Sequence, residues 1–380
     1  MTLRILQLNF HRGWGGQPSR ILIASRELAR RGHRVALAIP GDGILARRAR
    51  EAGLEVFGDF GFRKPRQVAS FARDISRLRR IIREFRPEIL HAHGSQDTWT
   101  AAIASRLARQ RPPLVLTRHN SKSVACHAGN RWLYGRAVDL LVVVSAGVLE
   151  RYEEFFHRGI LDPAGIPVIH STIDFARFDA PTDPLKVRRE LGVQDGEPLI
   201  GSVGRLVKDK GHAVLLRAMP RILASRPRAR LALAGAGTEE PALRALAAEL
   251  GLADRVAFLG FREDVPSVTA ALDVAVLPSV DCDASPAAVK EAMYLRRPVV
   301  VSDIGGLNEI VEEGVTGCIV PPGDPPALAA AILGLIDDPE KARAMASRAR
   351  EVVSSRFTVA AMVDAYERAY ARLVRPAPPP

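Results

Sequence analysis

"LIGSVGRLVKDKGHAVLLRA" (199–218) contains a strand, a loop and a helix in that order. Leu199–Val203 is an apolar run of strand length, Gly204 ends it, and the apolar spacing from His212 to Ala218 is helical. An apolar strand that passes through glycine into a helix is half of a parallel β–α–β unit, buried on both faces. Three cations, Arg205, Lys208 and Lys210, stand between strand and helix. Cations at a helix N-terminus oppose its dipole. The arrangement makes sense if an anion is shared by the helix end, Arg205 and Lys210. Arginine offers a fork to phosphate oxygens and lysine a mobile point charge. A solvated basic loop is the plain alternative.

The same unit recurs along the 380 residues. Strand-like runs are Leu3–Phe10, Arg34–Ile39, Ile89–His91, Leu114–Thr117, Leu140–Val144 and Val168–Ile169, then Leu199–Val203, Arg230–Ala234, Val256–Leu259, Val274–Leu277, Pro298–Ser302 and Cys318–Val320. Longer helical patterns separate them, so the chain reads as α/β with parallel sheets covered by helices on both faces. The two sets flank "FDAPTDPLKVRRELGV" (178–193), a polar stretch with two prolines. The expected organisation is an N-terminal doubly wound domain over 1–178, a link over 179–193, a second such domain over 194–355, and a helix with a tail over 356–380. That last helix, Val359–Val374, is expected to pack back toward the N-terminal domain, and "PAPPP" to fray. Such sheets bind ligands at the C-terminal ends of their strands, so the expected site is a cleft between the two domains.

Composition narrows the function classes. With 47% hydrophobic and 25% charged residues the chain reads as globular. No apolar run approaches the roughly 18–20 residues that cross a bilayer. The start, MTLRILQLNF, lacks the features of a secretory signal, so the expected location is cytoplasmic. Cys126, Cys282 and Cys318 are widely spaced and form no metal or disulfide framework. The net charge of +12 is one-sided: residues 1–178 hold 29 Lys/Arg and 15 Asp/Glu, net +14, whereas 179–380 hold 25 and 27, net −2. The N-terminal half therefore suits an anionic partner.

Two further features carry chemistry. In "DCDASPAAVKEAMYLRRPVVVSDIGG" (281–306) Asp283 lies just before a helix that begins near Pro286, and Glu291 lies one to two turns inside. Alone, Asp283 could be a helix cap and Glu291 a solvated residue. Glycine pairs follow strands twice, Gly15–Gly16 near the start and Gly305–Gly306 ahead of another expected helix, where backbone N–H groups can approach phosphate or sugar oxygens. Neither loop, nor "AGAG" at 234–237, completes GxGxxG, which argues against a dehydrogenase.

Taken together, Gly15–Gly16, "EILHAHGSQD" (88–97), "LTRHN" (116–120), "VVVSAGVLERY" (142–152), "VIHSTIDFARF" (168–178), "VGRLVKDKGH" (203–212), the segment 231–265 and 281–306 through "VTGCIVPPGD" (315–324) resemble glycosyltransferase family 4. These are retaining sugar-nucleotide transferases of the GT-B fold, two Rossmann-like domains facing each other across a cleft. The resemblance implies that Glu291 binds the ribose of the nucleotide and that Asp283 contacts the donor sugar. The family usually has Glu followed by Gly at the first acid; here Asp is followed by Ala. It also implies that Arg205 and Lys210 hold the diphosphate, that Gly15, Gly16, Gly305 and Gly306 give backbone contacts, and that His119 lies near the reacting sugar. His91 and His93, two apart on a strand, raise a metal, but no third ligand is apparent and the family needs none. No metal or cofactor is expected. Ser145 reads as an N-cap.

The expected reaction moves a sugar from a nucleoside-diphosphate sugar to a hydroxyl of a glycan or lipid-linked acceptor, in lipopolysaccharide or other polysaccharide synthesis. Competing readings are a sugar-nucleotide epimerase of the same fold and a non-catalytic sugar-nucleotide binder. A nucleic-acid binder would explain the basic half but not Arg205, Lys210 and Glu291. In Val68–Pro87 the apolar Val68, Phe71, Ile75, Leu78, Ile82 and Phe85 fall on one helix face. Arg73, Arg77, Arg80 and Arg83 fall on the other, where an anionic membrane surface could hold the enzyme peripherally.

Overall fold

The structure, a computed structural model, describes residues 2–62, 67–120, 122–281 and 283–374. Two compact units form, Met1–Thr172 with Val359–Pro380, and Ile173–Thr358. The division falls at 172/173 rather than at 178. Ile173 and Phe178 carry apolar side chains into the core of the second unit. The expected link folds into that unit as well. Pro184–Glu190 is a helix with Asp183 accepting from the Lys186 N–H, and Val187 and Val193 pack with Leu199 and Leu272.

Among the described residues the first unit holds six parallel strands: β1 (Arg4–Leu8), β2 (Arg34–Ala38), β3 (Glu55–Phe57), β4 (Ile89–Ala92), β5 (Leu114–Arg118) and β6 (Leu140–Val143). Their order is β3-β2-β1-β4-β5-β6. The edge strand β3 escapes a hydrophobicity reading because it is three residues long and starts on exposed Glu55. Val168–Ile169 forms no full strand, only a bridge from Val168 to Val143. The C-terminal helix Val359–Leu373 closes this core, with Met362, Val363, Tyr366 and Tyr370 against Leu3, Ile5, Ile89, Val115 and Val142. Residues 375–380, which include the expected frayed tail, lie outside the described residues.

The second unit repeats the plan with β7 (Leu199–Val203), β8 (Arg230–Ala234), β9 (Val256–Gly260), β10 (Val274–Leu277), β11 (Val299–Ser302) and β12 (Cys318–Val320). The order is β12-β11-β10-β7-β8-β9, again parallel. Ile200, Leu231, Val274 and Val300 meet Leu215, Met219 and Ile222 of the His212–Ser225 helix. Each such side chain, fully buried, is worth about 1.5–3 kcal/mol.

In each sheet the winding reverses once, between β1 and β4 and between β7 and β10. Loops diverge at such a point and leave a crevice at the strands' C-terminal ends. Gly15–Gly16 follow β1 and His93 follows β4; Arg205 and Lys210 follow β7 and Asp283 follows β10. These residues thus lie at the two switch points.

Candidate active site

In the second unit three loops meet. The chain leaves β7 through exposed Arg205, makes a 3₁₀ turn at Lys208–Lys210, and enters the His212–Ser225 helix. Gly211 makes this entry possible: its φ is +65°, and a Cβ there would lie 1.8 Å from the Pro278 carbonyl oxygen. The Val280 N–H donates to the Asp209 carbonyl at 3.0 Å, tying this loop to the one after β10. Lys210 Nζ donates to Asp283 Oδ2, and Ser279 Oγ donates to the same oxygen at 3.1 Å. The Gly306 N–H donates to the Asp283 carbonyl at 3.1 Å, bringing in the loop after β11.

Asp283 is therefore no helix cap. Pro286 occupies the N-cap of Ala287–Tyr294 and gives no side-chain hydrogen bond. Glu291 is half-buried rather than solvated. Protein crowds its carboxyl, and burial pushes it up to about 7, against the opposing charges of Arg177 and Lys290. Gly305 takes a left-handed φ of +50° and Gly306 is buried, but turns follow them where a helix is expected.

His212 has no role in the reading above. Its ring is 2% exposed, and among the described residues neither ring nitrogen has a hydrogen-bond partner. Burial, then the charge of Lys210, lowers it to about 4, so it is neutral at pH 7. A histidine in a cationic loop gives no sign in sequence that it will be buried.

In the first unit Gly15 precedes the Gly16–Arg30 helix, and Gln17 Nε2 donates to the His93 carbonyl at 2.9 Å, joining the loops after β1 and β4. His93 follows the last residue of β4 and reaches His119, just beyond β5: His93 Nδ1 and His119 Nε2 are 2.9 Å apart. Asp97 Oδ2 accepts from the N–H groups of His93 and Gly94 at 2.8 and 3.0 Å, anchoring the turn into Ser95–Arg106. Burial raises this carboxyl to about 7 although those donors pull it down.

His91 is committed elsewhere, with Nδ1 against Tyr370 Oη and Nε2 against Thr117 Oγ1, both at 2.7 Å. Among the described residues no group of three or more His, Cys, Asp or Glu could hold a metal ion. Cys126 and Cys318 are free thiols, and Cys282 lies outside the described residues. Ser145 does precede the 3₁₀ helix Ala146–Tyr152, but its buried Oγ makes no cap bond and is unpartnered among the described residues.

The Val68–Phe85 helix buries Leu78, Ile81, Ile82 and Phe85, while Val68, expected on the apolar face, is 72% exposed. Arg73, Arg80 and Arg83 are exposed, together with Arg79; Arg77 instead turns onto the Asp59 carbonyl. Asp74 is buried because it accepts from the Phe62 N–H at 2.7 Å.

With this geometry in hand, known proteins place the chain. A model described as Glycosyltransferase Family 4 matches residues 14–177, and one described as Glycosyl transferases group 1 matches 185–352. The glycogen synthase of Mycobacterium tuberculosis is 32% identical over 76% of this chain and 69% of its own length. The chain belongs to glycosyltransferase family 4.

The chain spans about half, 49%, of another relative, the alpha-D-kanosaminyltransferase of Streptomyces kanamyceticus, which is 32% identical over 50% of this chain. Among solved structures, Anabaena HepE in complex with UDP-glucose aligns with a TM-score of 0.82 at 25% identity, covering 97% of this chain and all of that one. The chain is thus a glycosyltransferase of the GT-B fold. Relatives named as transferases and synthases do not favour the epimerase or the non-catalytic binder. Among the described residues no helix is long and apolar enough to cross a membrane.

Proposed function

We propose that this family 4 enzyme transfers a sugar, with retention at the anomeric carbon, from a nucleoside-diphosphate sugar to an acceptor hydroxyl of a cell-surface glycan, lipopolysaccharide or another polysaccharide. The observation that carries the reading is the meeting of Lys210, Asp283 and the Gly306 N–H at the switch point of the second unit, where Arg205 leads into a helix N-terminus. That group suits a diphosphate with a sugar attached, and HepE binds UDP-glucose on a similar fold.

In the transfer the bond between the sugar C1 and the β-phosphate oxygen breaks, and its electron pair goes to the phosphate. Arg205, Lys210 and the helix end stabilise that growing charge, without a metal. Lys210 exchanges Asp283 for phosphate oxygens as the donor enters, which releases the Asp283 carboxylate to accept from sugar hydroxyls. Glu291 accepts from the ribose hydroxyls, Gly15, Gly16, Gly305 and Gly306 offer backbone N–H groups, and His119 lies toward the sugar. The acceptor oxygen bonds to C1 from the face the phosphate leaves, and its proton passes to the departing phosphate oxygen. C1 is oxocarbenium-like between the two events.

The test is a panel of sugar nucleotides screened for thermal stabilisation and slow hydrolysis, followed by transfer to glycan acceptors and NMR of the product anomer. Retention with one donor class is expected. An inverted product, or no response to any donor, would overturn the proposal.

We also propose that the enzyme works in the cytoplasm, at the inner face of the membrane, through exposed Arg73, Arg80 and Arg83. The charge excess of the N-terminal half, net +14 over residues 1–178, favours this.

A further inference from the structure

Behind His119 lies a buried chain of polar groups that the transfer reading does not use. Gln7, on β1, places Oε1 2.7 Å from His93 Nε2. Tyr370 of the C-terminal helix places Oη 2.7 Å from His91 Nδ1. The His91 and His93 rings lie 4.1 Å apart, tilted by 32°.

We propose that Gln7 and His93 are positioning residues that hold His119 in one tautomer, with the proton on Nε2. Its Nδ1 lone pair is thereby left at the C-terminal end of β5 to accept a hydrogen bond from a hydroxyl of the sugar being transferred. The second half of this statement rests on the transferase role of His119 given above.

The tautomer follows group by group. The Gln7 amide turns its carbonyl oxygen, Oε1, to His93 Nε2 at 2.7 Å. A carbonyl oxygen only accepts, so His93 carries its proton on Nε2. Burial keeps His93 neutral, and the nearby His91, His119 and Arg20 oppose a second proton. Its Nδ1 is then a bare acceptor, and the ring nitrogen 2.9 Å away, His119 Nε2, must donate. His119 is neutral for the same reasons, burial first and then Arg20. Its one proton is on Nε2, and no described residue bonds its Nδ1. A histidine's tautomer is set by the bond its other nitrogen makes.

The test uses the full chain labelled with ¹⁵N-histidine. Long-range proton–nitrogen spectra of the ligand-free protein assign His119 by its loss in His119→Gln. The expected wild-type result is a protonated Nε2 and a bare Nδ1. Gln7→Leu and His93→Leu should mix the two tautomers. His93→Asn puts a carbonyl oxygen near the lost Nδ1 and should keep the wild-type one.

In turnover, His93→Leu should lower kcat roughly tenfold, with the donor KM changed less than about twofold, and His93→Asn should recover most of the rate. A protonated Nδ1 in the wild type, a tautomer unchanged in both leucine variants, or equal losses in His93→Leu and His93→Asn would overturn the proposal. Expected spectra from a protein inert to every sugar nucleotide would overturn the sugar-facing role and the transferase reading, and leave the tautomer assignment supported.

Discussion

Glu291→Gln separates the stability of the second unit from its proposed use. Burial raises the Glu291 carboxyl from its usual 4.5 to about 7. Below pH 4 both the folded and the unfolded chain hold the proton, and the group costs nothing. As the pH rises toward 7 the unfolded chain loses its proton first, so stability falls, and above about pH 8 the deficit stays constant. At 1.36 kcal/mol per pKa unit the full shift amounts to about 3 kcal/mol, nearer 2 after allowing for the partial exposure of the side chain. Glutamine keeps the shape without the charge. The variant should therefore unfold about 4–8 °C higher than wild type at pH 8 and at the same temperature at pH 4. Donor binding should move the other way. A hydrogen bond to a charged group is worth about 1.5–3 kcal/mol, so Kd for the sugar nucleotide should rise about 10- to 150-fold. Thermal unfolding from pH 4 to 8, with and without donor, reads both effects. A variant no more stable than wild type at pH 8, or more stable by the same margin at every pH, would refute the ionisation argument. Unchanged donor affinity would refute the ribose role.

Arg205→Ala should lower kcat as well as donor affinity, because its partner gains charge in the transition state; steady-state kinetics that show only a KM change would contradict this. Asp283→Glu should retain transfer and Asp283→Ala should lose it, with Lys210 left unpaired; full activity in Asp283→Ala would remove Asp283 from the site. Gly211→Ala should cost more than about 2 kcal/mol, since alanine meets both a left-handed φ and the Pro278 carbonyl, and denaturant unfolding measures it. Replacing Arg73, Arg80 and Arg83 by Gln should cut affinity for anionic vesicles about a hundredfold, at about 1 kcal/mol each. Co-sedimentation that is absent at low salt, or unchanged in that variant, would leave a soluble acceptor.

The sequence alone determined what depends on local pattern. Among the described residues, eleven of the twelve strand positions are apolar runs whose burial is visible in composition, because a parallel strand covered on both faces has to be continuously hydrophobic. Arg205, Lys210, Asp283 and Glu291 stand out as candidates through their resemblance to family 4 motifs, while their spacing alone also suits a solvated basic loop, a helix cap and a solvated helix residue. The edge strand β3 was not legible, being short and half-exposed, and Val168–Ile169 was misread because two apolar residues cannot say whether a neighbouring strand has room for them.

Only the tertiary structure decided which groups meet. Asp283 and Lys210 lie 73 positions apart, and their ion pair exists because β7 and β10 are neighbours where the sheet reverses. Gln7, His93, His119 and Tyr370 come from four separate segments, and nothing in the spacing of any one links it to the others. Burial, likewise, depends on all the surrounding elements at once. It turns Glu291 from a solvated carboxylate into a group poised near neutrality and leaves His212 uncharged. A linear pattern records what each residue can do, but the solvent it loses and the partner it gains are properties of the packed sheet and helices around it.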